Sequence, residues 1–379
     1  MSTALLIFWI ALAILFHTYL GYPLLMAILA WLRDEPPAKP LAEMPTVTVV
    51  LAAYNESSRI VERLRNLLAS DYPPELMDFV VVCDGSTDDT AARVHSFADP
   101  RVKQLTQPRR LGKAAALNRA VAQATGEIIV FADVRQRFAP DAIRRLVSHF
   151  GHLETGAVSG ELVIDRATTA AGSGVDSYWR LEKFIRRHEA RWDSAIGCTG
   201  AIYAIRGKLF QPIPEDTILD DVVIPMQIAM QRYRIGFDPE ALAFDPQTLE
   251  PEREQVRKRR TLAGNYQMLF RYPVWLLPVH SRLWWQLLSH KYLRLAAPYL
   301  LLAAFVSNAI IAGVNIYGLL FGGQILFYGL AAVGLQFRHL KYRVVSLPAG
   351  FVFLNWQALV AFWQYLRNPK QAAWQMAGK

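Results

Sequence analysis

Cysteine is nearly absent from this chain. Two cysteines occur among 379 residues, Cys83 and Cys198, and they lie far apart in the sequence. Neither belongs to a spacing typical of metal ligands. Such sparse usage predicts a reducing, cytosolic environment without disulfides. Internal repeats and low-complexity tracts are also missing from the sequence, which argues against a solenoid and against an extended disordered region.

Formal charge is missing from one long stretch. Residues 4–32 contain no Asp, Glu, Lys or Arg, and a stretch of this length can cross a bilayer. A cleavable signal peptide would have a basic N-terminal region and a shorter apolar core, and this stretch has neither. Because Arg33 and Lys39 follow it, the positive-inside rule predicts an anchor whose N-terminus lies outside, with residues 33 onward in the cytoplasm.

Acidic residues are the scarcer charged class. Lys and Arg number 41 against 32 Asp and Glu, which leaves a net charge of +9. This balance admits nucleic acid, anionic lipid or a phosphorylated substrate as partner. The basic residues gather at 253–260 and beside the apolar segments. The pattern therefore favours lipid headgroups and a nucleotide diphosphate, and it does not predict binding to nucleic acid.

The part of the chain after the anchor alternates short apolar runs with helical patterns. The predicted strands cover 46–53, 79–83, 102–105, 128–132, 157–164, 201–205 and 241–244. Strands that alternate with helices pair in parallel. The sequence therefore predicts an α/β fold with a Rossmann-like, mostly parallel sheet.

Composition divides the chain into four predicted regions. They are an N-terminal transmembrane helix (1–35), a cytoplasmic α/β domain (36–272), an amphipathic interface helix region (273–292) and C-terminal transmembrane helices (293–379). In the last region, 295–313 and 317–337 are apolar enough to span a bilayer. A third segment, 344–366, also favours a span, although Pro348 and Asn355 weaken it. The organisation predicts a multi-pass protein of the cell inner membrane.

Three polar positions match the needs of a nucleotide-sugar site. Such a site needs an acceptor for the base or ribose hydroxyls, a cation for the diphosphate and a general base for the incoming hydroxyl. Asp84, Lys113 and Asp221 suit these tasks, and Asp84 ends a predicted strand, where open α/β sheets bind ligands. Taken singly, each also has an ordinary structural explanation: a helix cap, a solvated first-turn residue and an acid at a helix N-terminus.

Five short motifs in a fixed order are more specific than any residue alone. They are Ala53-Tyr54-Asn55-Glu56, Asp84-Gly85-Ser86-Thr87-Asp88, Gly112-Lys113, Phe131-Ala132-Asp133 and Leu219-Asp220-Asp221. Together they resemble the family 2 inverting glycosyltransferases of GT-A fold, especially the membrane-embedded branch that includes synthases of hyaluronan, cellulose and poly-N-acetylglucosamine. The resemblance covers about residues 44–270 together with the flanking apolar helices.

The resemblance implies a reaction and a set of site residues. The reaction would move a sugar, with inversion, from a nucleotide-sugar to a cell-surface polysaccharide or glycolipid acceptor at the cytoplasmic membrane face, and a UDP-sugar is the expected donor. The general base would be Asp221, beside Asp220, and Asp133 would contribute a carboxylate to a Mg²⁺ or Mn²⁺ site. The donor-binding residues implied are Ala53, Tyr54, Glu56, Asp84, Gly85, Lys113, Asp133 and Arg135.

One departure from the family pattern affects the metal. The expected D-x-D reads Asp133-Val134-Arg135, so a cation stands where the second carboxylate would be. Divalent cations prefer oxygen ligands and often rely on one or two carboxylates plus substrate phosphates. The sequence therefore predicts a weakly held metal. Alternatively, Arg135 contacts the phosphate directly, because its planar fork suits that geometry, or it points to solvent.

A second departure affects the acceptor. Where processive synthases have Q-x-x-R-W, this chain has Arg257 in place of Gln and Thr261 in place of Trp, while Arg260 remains. The predicted acceptor or diphosphate residues are Arg257, Arg260, Thr199 and Gly200. Loss of the Trp platform leaves two outcomes open: polymer synthesis, or addition of a single sugar to a lipid-linked acceptor. The basic stretch 253–260 could also simply face lipid headgroups.

A reading from a different class is a non-catalytic membrane subunit that only binds a nucleotide-sugar. A protein of that class has no need of a general base. Because the chain keeps both Asp220 and Asp221, the sequence favours an enzyme.

Overall fold

A computed structural model describes residues 2–34, 39–164, 170–245, 251–313, 316–337, 340 and 342–367. The chain divides into two compact units. The α/β unit comprises Arg33–Arg166 and Glu189–Thr248, and the helical unit comprises Met1–Leu32, Ala167–His188 and Leu249–Lys379.

The elements follow in chain order. The strands are β1 (Val47–Ala53), β2 (Met77–Asp84), β3 (Val102–Gln107), β4 (Ile128–Ala132), β5 (Arg137–Phe138), β6 (Thr155–Ile164), β7 (Ile202–Arg206) and β8 (Arg234–Asp245). The helices are α1 (Ser2–Phe16), α2 (Tyr22–Trp31), α3 (Ile60–Leu68), α4 (Thr90–His95), α5 (Lys113–Val121), α6 (Ala142–Ser148), α7 (Ala170–Trp192), α8 (Asp220–Met230), α9 (Pro251–Arg271), α10 (Trp284–Leu287), α11 (Leu293–Ile311), α12 (Ile316–Gln336) and α13 (Arg343–Arg367).

The α/β unit is built on one eight-stranded sheet with the order β3-β2-β1-β4-β7-β6-β8-β5. β1 pairs in parallel with β2 and with β4, and β2 pairs in parallel with β3. β7 is antiparallel to both β4 and β6, whereas β6 and β8 are parallel. The sheet is therefore mixed but mostly parallel, which confirms the predicted fold class.

Burial on both faces explains the apolar runs in the central strands. In β1 and β2 nearly every side chain is buried, as expected for parallel strands covered by helices on each side. β4 has the predicted boundaries, 128–132. The last strand, predicted near 241–244, begins earlier, at Arg234. The two-residue β5 carries too little pattern to be found from sequence.

Within the described part of the helical unit, four helices are long and apolar enough to cross a membrane. They are Ser2–Trp31, Trp284–Ile311, Ile316–Gln336 and Arg343–Arg367. A turn of π-helix interrupts the first at His17–Gly21 and the second at Leu288–Tyr292. The two turns meet where the His17 Nε2 lies 3.0 Å from the Ser289 hydroxyl. The third C-terminal segment, whose span the sequence predicted less strongly, forms one helix over Arg343–Arg367 in spite of Pro348.

A separate, continuous interface helix, as expected within residues 273–292, does not form. A short 3₁₀ turn covers Pro273–Leu276, and helix resumes only at Trp284, from where it continues into α11. Pro278 lies in the gap and accounts for the break, because a proline inside a helix lacks the N–H donor and clashes with the preceding turn.

A buried carboxylate holds α7 to the second span within the helical unit. Glu182 accepts hydrogen bonds from His290 Nε2 at 3.0 Å, Lys291 Nζ at 2.8 Å and Arg294 Nη1 at 2.7 Å. Its side chain is 8% exposed. Burial raises the pKa of Glu182, but the surrounding basic groups outweigh burial and hold it well below its usual range. No sequence motif pointed to this cluster.

Candidate active site

Asp84 fixes a loop at the carboxyl edge of the sheet. It ends β2 and is buried. Its Oδ1 accepts a hydrogen bond from the Leu111 amide at 2.7 Å, and its Oδ2 accepts one from the Gly112 amide at 2.8 Å. Both oxygens of this predicted donor-binding residue therefore already hold backbone N–H groups. Asp84 thus holds in place the loop that leads to Lys113.

Gly85 allows that loop to approach. Its φ is +63°, a left-handed conformation that glycine adopts without strain. A Cβ on Gly85 would lie 2.3 Å from the backbone nitrogen of Arg110. Gly85 is thus required by its conformation and by the close packing of the loop.

Lys113 is the residue on which the predicted site converges. It is the first residue of α5 and follows Gly112, whose φ is +104°. Its Nζ lies 2.9 Å from Asp133 Oδ1 and 3.2 Å from Asp220 Oδ2. Burial lowers the pKa of Lys113, but the charges of Asp133, Asp220 and Asp221 outweigh burial and raise it above its ordinary value. Residues predicted separately from three motifs therefore surround one ammonium group.

Asp220 and Asp221 open α8, where the helix dipole favours negative charge. Asp220 is buried, and its Oδ2 faces Lys113 as an ion pair without hydrogen-bond geometry. The Asp221 carbonyl accepts a hydrogen bond from the Cys198 amide at 2.7 Å. A Cβ on Gly200 would lie 2.9 Å from Asp221 Oδ2. The glycine therefore leaves room for the Asp221 carboxylate.

Two predicted acceptor residues lie beside Asp221 in the loop before β7. The Thr199 amide donates to Ser159 Oγ at 2.8 Å, which ties this loop to β6. Gly197, in the same loop, has a φ of +82° and packs against Val222 of α8. Gly200 thus lies against the general-base candidate, and Thr199 precedes that glycine in the same loop.

The loop after β1 supplies an aromatic and an acidic side chain. The Arg110 guanidinium lies 3.9 Å from the centre of the Tyr54 ring. Glu56 pairs with Arg59 at 3.3 Å, and burial raises the pKa of Glu56 despite that pair. Ala53 is fully buried in the core, backbone included, so this predicted donor-binding residue exposes no atom for a ligand to contact.

Arg135 is held by an acid that sequence reasoning missed. Its Nη2 donates to Asp245 Oδ2 at 2.6 Å, and Gln136 Nε2 donates to the same oxygen at 3.1 Å. Asp245 ends β8 and is fully buried. The alternative in which Arg135 points freely to solvent is therefore wrong. Asp245 lies at the end of a predicted strand, which is the one signal that could have marked it.

Arg63 holds the backbone of Asp133 in place, and the sequence did not predict this role. Its Nε donates to the Asp133 carbonyl at 3.0 Å, and its guanidinium lies 4.2 Å from the centre of the Phe138 ring. Burial lowers the pKa of Arg63 to about 9, although Asp133 opposes that change. This arginine sits within the α3 pattern and looks like an ordinary helix residue in the sequence.

The residues around Asp133 can hold a divalent cation only if a bound ligand supplies further oxygen atoms. Asp133 offers a carboxylate that is 37% exposed. Among the described residues, no group of three His, Cys, Asp or Glu side chains is arranged to hold a metal ion. A cation bound at Asp133 would therefore take most of its oxygens from phosphate and water.

Arg257 and Arg260 belong to the helical unit. They lie on α9, which packs against α13. There Arg259 Nε donates to Gln357 Oε1 at 2.5 Å, and Lys258 is buried. Lys258 and Arg259 therefore do not simply face lipid headgroups, which was the alternative for the basic stretch 253–260.

Comparisons with known proteins show what this chain is similar to in sequence and in fold. The family model described as "Glycosyl transferase family 2" matches residues 48–210. An N-acetylglucosaminyltransferase from Rhizobium meliloti (strain 1021) is 27% identical over 244 residues, which cover 58% of this chain and 56% of that protein. A poly-beta-1,6-N-acetyl-D-glucosamine synthase from Staphylococcus aureus (strain COL) is 25% identical over 280 residues, 68% of this chain and 66% of that protein.

The chain thus spans between about half and two thirds of the length of these relatives. Among solved structures, a mannosyltransferase from Pyrobaculum calidifontis in complex with GDP-Man and Mn²⁺ superposes with a TM-score of 0.68 and 26% identity. That match covers 94% of this chain and 99% of the other.

Proposed function

We propose a reaction for this chain from the premise that it contains a glycosyltransferase family 2 domain of GT-A fold and is an enzyme of that class. The chain transfers a sugar from a nucleotide-sugar to an acceptor hydroxyl, with inversion at the anomeric carbon. The observation that carries the proposal is the convergence of Asp133 and Asp220 on the Lys113 ammonium, beside Asp221.

The proton of the acceptor hydroxyl passes to Asp221. This residue opens α8, and Gly200 leaves its carboxylate room beside the acceptor candidate Thr199. Asp220 is the poorer candidate for the base because it is buried against Lys113. As the new C–O bond forms at the anomeric carbon, the bond to the nucleoside diphosphate breaks and the proton goes to a carboxylate poised to take it.

The departing diphosphate carries negative charge that the site must stabilise. Lys113 provides an ammonium at this position, and Arg135 provides a second cation held in place by Asp245. A Mg²⁺ or Mn²⁺ ion held by Asp133, when bound, would neutralise phosphate oxygens of the donor. The Mn²⁺ in the Pyrobaculum enzyme supports this use of a divalent cation.

The acceptor is a glycan or a lipid-linked sugar at a membrane. Four helices of spanning length and the Staphylococcus relative, named as a polymer synthase, support synthesis of a cell-surface polysaccharide. Thr261 in place of the aromatic platform supports the alternative, in which one sugar is added to a lipid-linked acceptor. The two relatives support N-acetylglucosamine as the transferred sugar, and the GDP-Man in the Pyrobaculum enzyme supports a nucleotide-sugar as the donor.

A donor panel tests the proposal. Purified full-length protein in nanodiscs is incubated with UDP-, GDP- and dTDP-sugars, and released nucleoside diphosphate is measured with and without membrane lipid extract. Release from one donor class, with the sugar recovered in a glycan or glycolipid, is the expected result. Nucleotide binding without release from any donor would instead support the non-catalytic subunit. Product length at low enzyme concentration then separates long polymer from single-sugar addition.

Topology is tested by cysteine labelling. We propose that the α/β unit faces the cytoplasm of the cell inner membrane, because Arg33 and Lys39 follow the first span. Ala42→Cys should resist an impermeant thiol reagent in intact cells, whereas Ala312→Cys, next to α11, should react. The two native thiols are buried and should give little background. Labelling at position 42 in sealed cells would reverse the proposed orientation.

A further inference from the structure

Lys113 occupies the space that a divalent cation at Asp133 would need. Its Nζ is 2.9 Å from Asp133 Oδ1, and an ammonium and a metal ion seek the same carboxylate oxygens. Arg135 stands where the D-x-D motif has its second carboxylate. Asp133 therefore provides the carboxylate of this motif, and the Lys113 ammonium and a metal ion compete for it. The Lys113 side chain is 29% exposed, which leaves it open to an incoming ligand.

We propose that Lys113 is a tethered competitor of the divalent cation. In the donor-free protein its ammonium holds the Asp133 carboxylate, and a metal ion binds there only once the donor diphosphate has drawn Lys113 away and added its own oxygens. The inference rests on the proposed function, since it assigns an order of binding to the same site.

The geometry allows the side chain to move while its backbone stays fixed. The loop before Lys113 is held by the two hydrogen bonds from Leu111 and Gly112 to Asp84. Beyond the Cα, four rotatable bonds carry the ammonium. Asp220, buried at 3.2 Å, is a second partner that Lys113 can keep when it leaves Asp133. Release of Asp133 therefore requires a change of side-chain torsions, without movement of the sheet.

Electrostatics makes the two cations exclusive when no donor is present. A divalent ion on Asp133 would lie beside the ammonium that is 2.9 Å from Asp133 Oδ1, and like charges this close together repel. A donor diphosphate placed between them would turn that repulsion into attraction, because each cation then faces phosphate oxygens. Metal and donor should consequently bind cooperatively. Arg135 cannot act in this way, because a buried carboxylate holds it.

The test measures Mn²⁺ binding without turnover. Free Mn²⁺ is followed by electron paramagnetic resonance during titration of full-length protein in nanodiscs, first without nucleotide. Lys113→Met should bind Mn²⁺ at least about tenfold more tightly than wild type, since one repulsive contact is gone. Lys103→Met is the matched control, because Lys103 lies on β3 and contacts Gln123. Its Mn²⁺ affinity should equal that of wild type.

Two further variants make the result decisive. Lys113→Met/Asp133→Asn should lose the gain, because the proposed oxygen ligand is removed. Lys113→Gln, which keeps a neutral hydrogen-bond donor between the two carboxylates, replaces the Met variant if that one does not fold, and the same gain is expected. With UDP added as a probe, and corrected for Mn²⁺ held by UDP alone, wild type should gain more Mn²⁺ affinity than Lys113→Met.

An unchanged Mn²⁺ affinity in both neutral variants would overturn the proposal. So would a gain that survives Asp133→Asn, because the metal would then lie elsewhere. The donor panel is run in parallel on wild type. If wild type releases nucleotide but substitution of Lys113 leaves the Mn²⁺ affinity unchanged, the proposed function stands and this inference is wrong. If substitution of Lys113 raises the Mn²⁺ affinity but no donor is cleaved, the competition stands and the proposed reaction is wrong.

Discussion

Lys113 in the α/β unit and Glu182 in the helical unit are charge clusters of opposite design. Around Lys113, one ammonium contacts two carboxylates and is 29% exposed. Around Glu182, one carboxylate contacts four basic side chains, those of Arg186, His290, Lys291 and Arg294, and is 8% exposed. The first cluster has a surplus of acids and an opening through which a ligand can enter. The second is closed around its ions.

The difference shows which of the two can do chemistry. An open ion pair in contact with solvent gains little stability and can exchange partners. A buried ion pair contributes little net stability when intact, but it is costly to break, because the remaining charge stays buried and uncompensated. We therefore expect changes around Lys113 to alter catalysis and ligand binding, and changes at Glu182 to alter folding.

The largest effect is expected at the acid beside Lys113. Asp221→Asn should lower the rate of sugar transfer by about 10²–10⁴-fold, because the amide cannot take the acceptor proton, while donor affinity changes little. Transfer is measured as nucleotide release at saturating donor. Glu75→Gln, at an exposed position of the same unit, should leave the rate unchanged. A variant at 221 that keeps more than a few per cent of activity would point to Asp220 as the base.

Glu182 should respond in the opposite way. Glu182→Gln leaves four basic groups around a neutral amide, and loss of one partner of a buried ion pair costs about 3–5 kcal/mol of folding free energy. Thermal unfolding in nanodiscs should show a clearly lowered midpoint, whereas Glu240→Gln, at an exposed pair, should not. A stable Gln variant that has lost only activity would mean that the closed cluster takes part in function.

Asp84 should show an intermediate effect, on binding. Its two hydrogen bonds to backbone amides hold the loop that leads to Lys113, and a hydrogen bond to a charged group contributes about 1.5–3 kcal/mol. Asp84→Ala should therefore weaken binding of the nucleoside diphosphate about tenfold or more in a calorimetric titration, through displacement of the loop. Asp78→Asn, in the same strand and paired with Thr125, is the control. Unchanged affinity in Asp84→Ala would separate this loop from the site.

The two clusters also differ in how far sequence could predict them. The strands β1, β2 and β4 are continuous apolar runs, and their ends place Asp84 and Asp133 at one edge of the sheet. The positions of Asp84 and Asp133 could be predicted because each follows directly from the end of its own strand. The three groups that hydrogen-bond to Glu182 lie more than a hundred residues away in the sequence, on the second span. The Asp245 that fixes Arg135 is likewise distant in the sequence. Long-range ion pairs depend on tertiary packing, which periodicity does not encode.

The smallest effect is expected at Asp88, an exposed carboxylate of the α/β unit. It tests whether an exposed charge contributes as little to stability as the comparison with Glu182 implies. Asp88 joins the two loops at the carboxyl edge, since its Oδ1 accepts from the Thr90 amide at 3.0 Å and its Oδ2 from the Ser57 amide at 3.1 Å. Burial opposes ionisation, but the hydrogen bonds from Thr90, its hydroxyl included, and from Ser57 together outweigh burial and lower the pKa of Asp88 from 3.8 to about 2.

Because the folded pKa is the lower one, the ionised form of Asp88 stabilises the fold above about pH 3.8, and this contribution is lost as the pH falls towards 2. Solvent screening limits it to at most about 1 kcal/mol. The difference in unfolding free energy between wild type and Asp88→Asn should thus be present at pH 5 and shrink between pH 4 and pH 2. A difference that stays constant over this range would show that the loops are held by shape alone, and that exposed charge contributes nothing at this edge of the sheet.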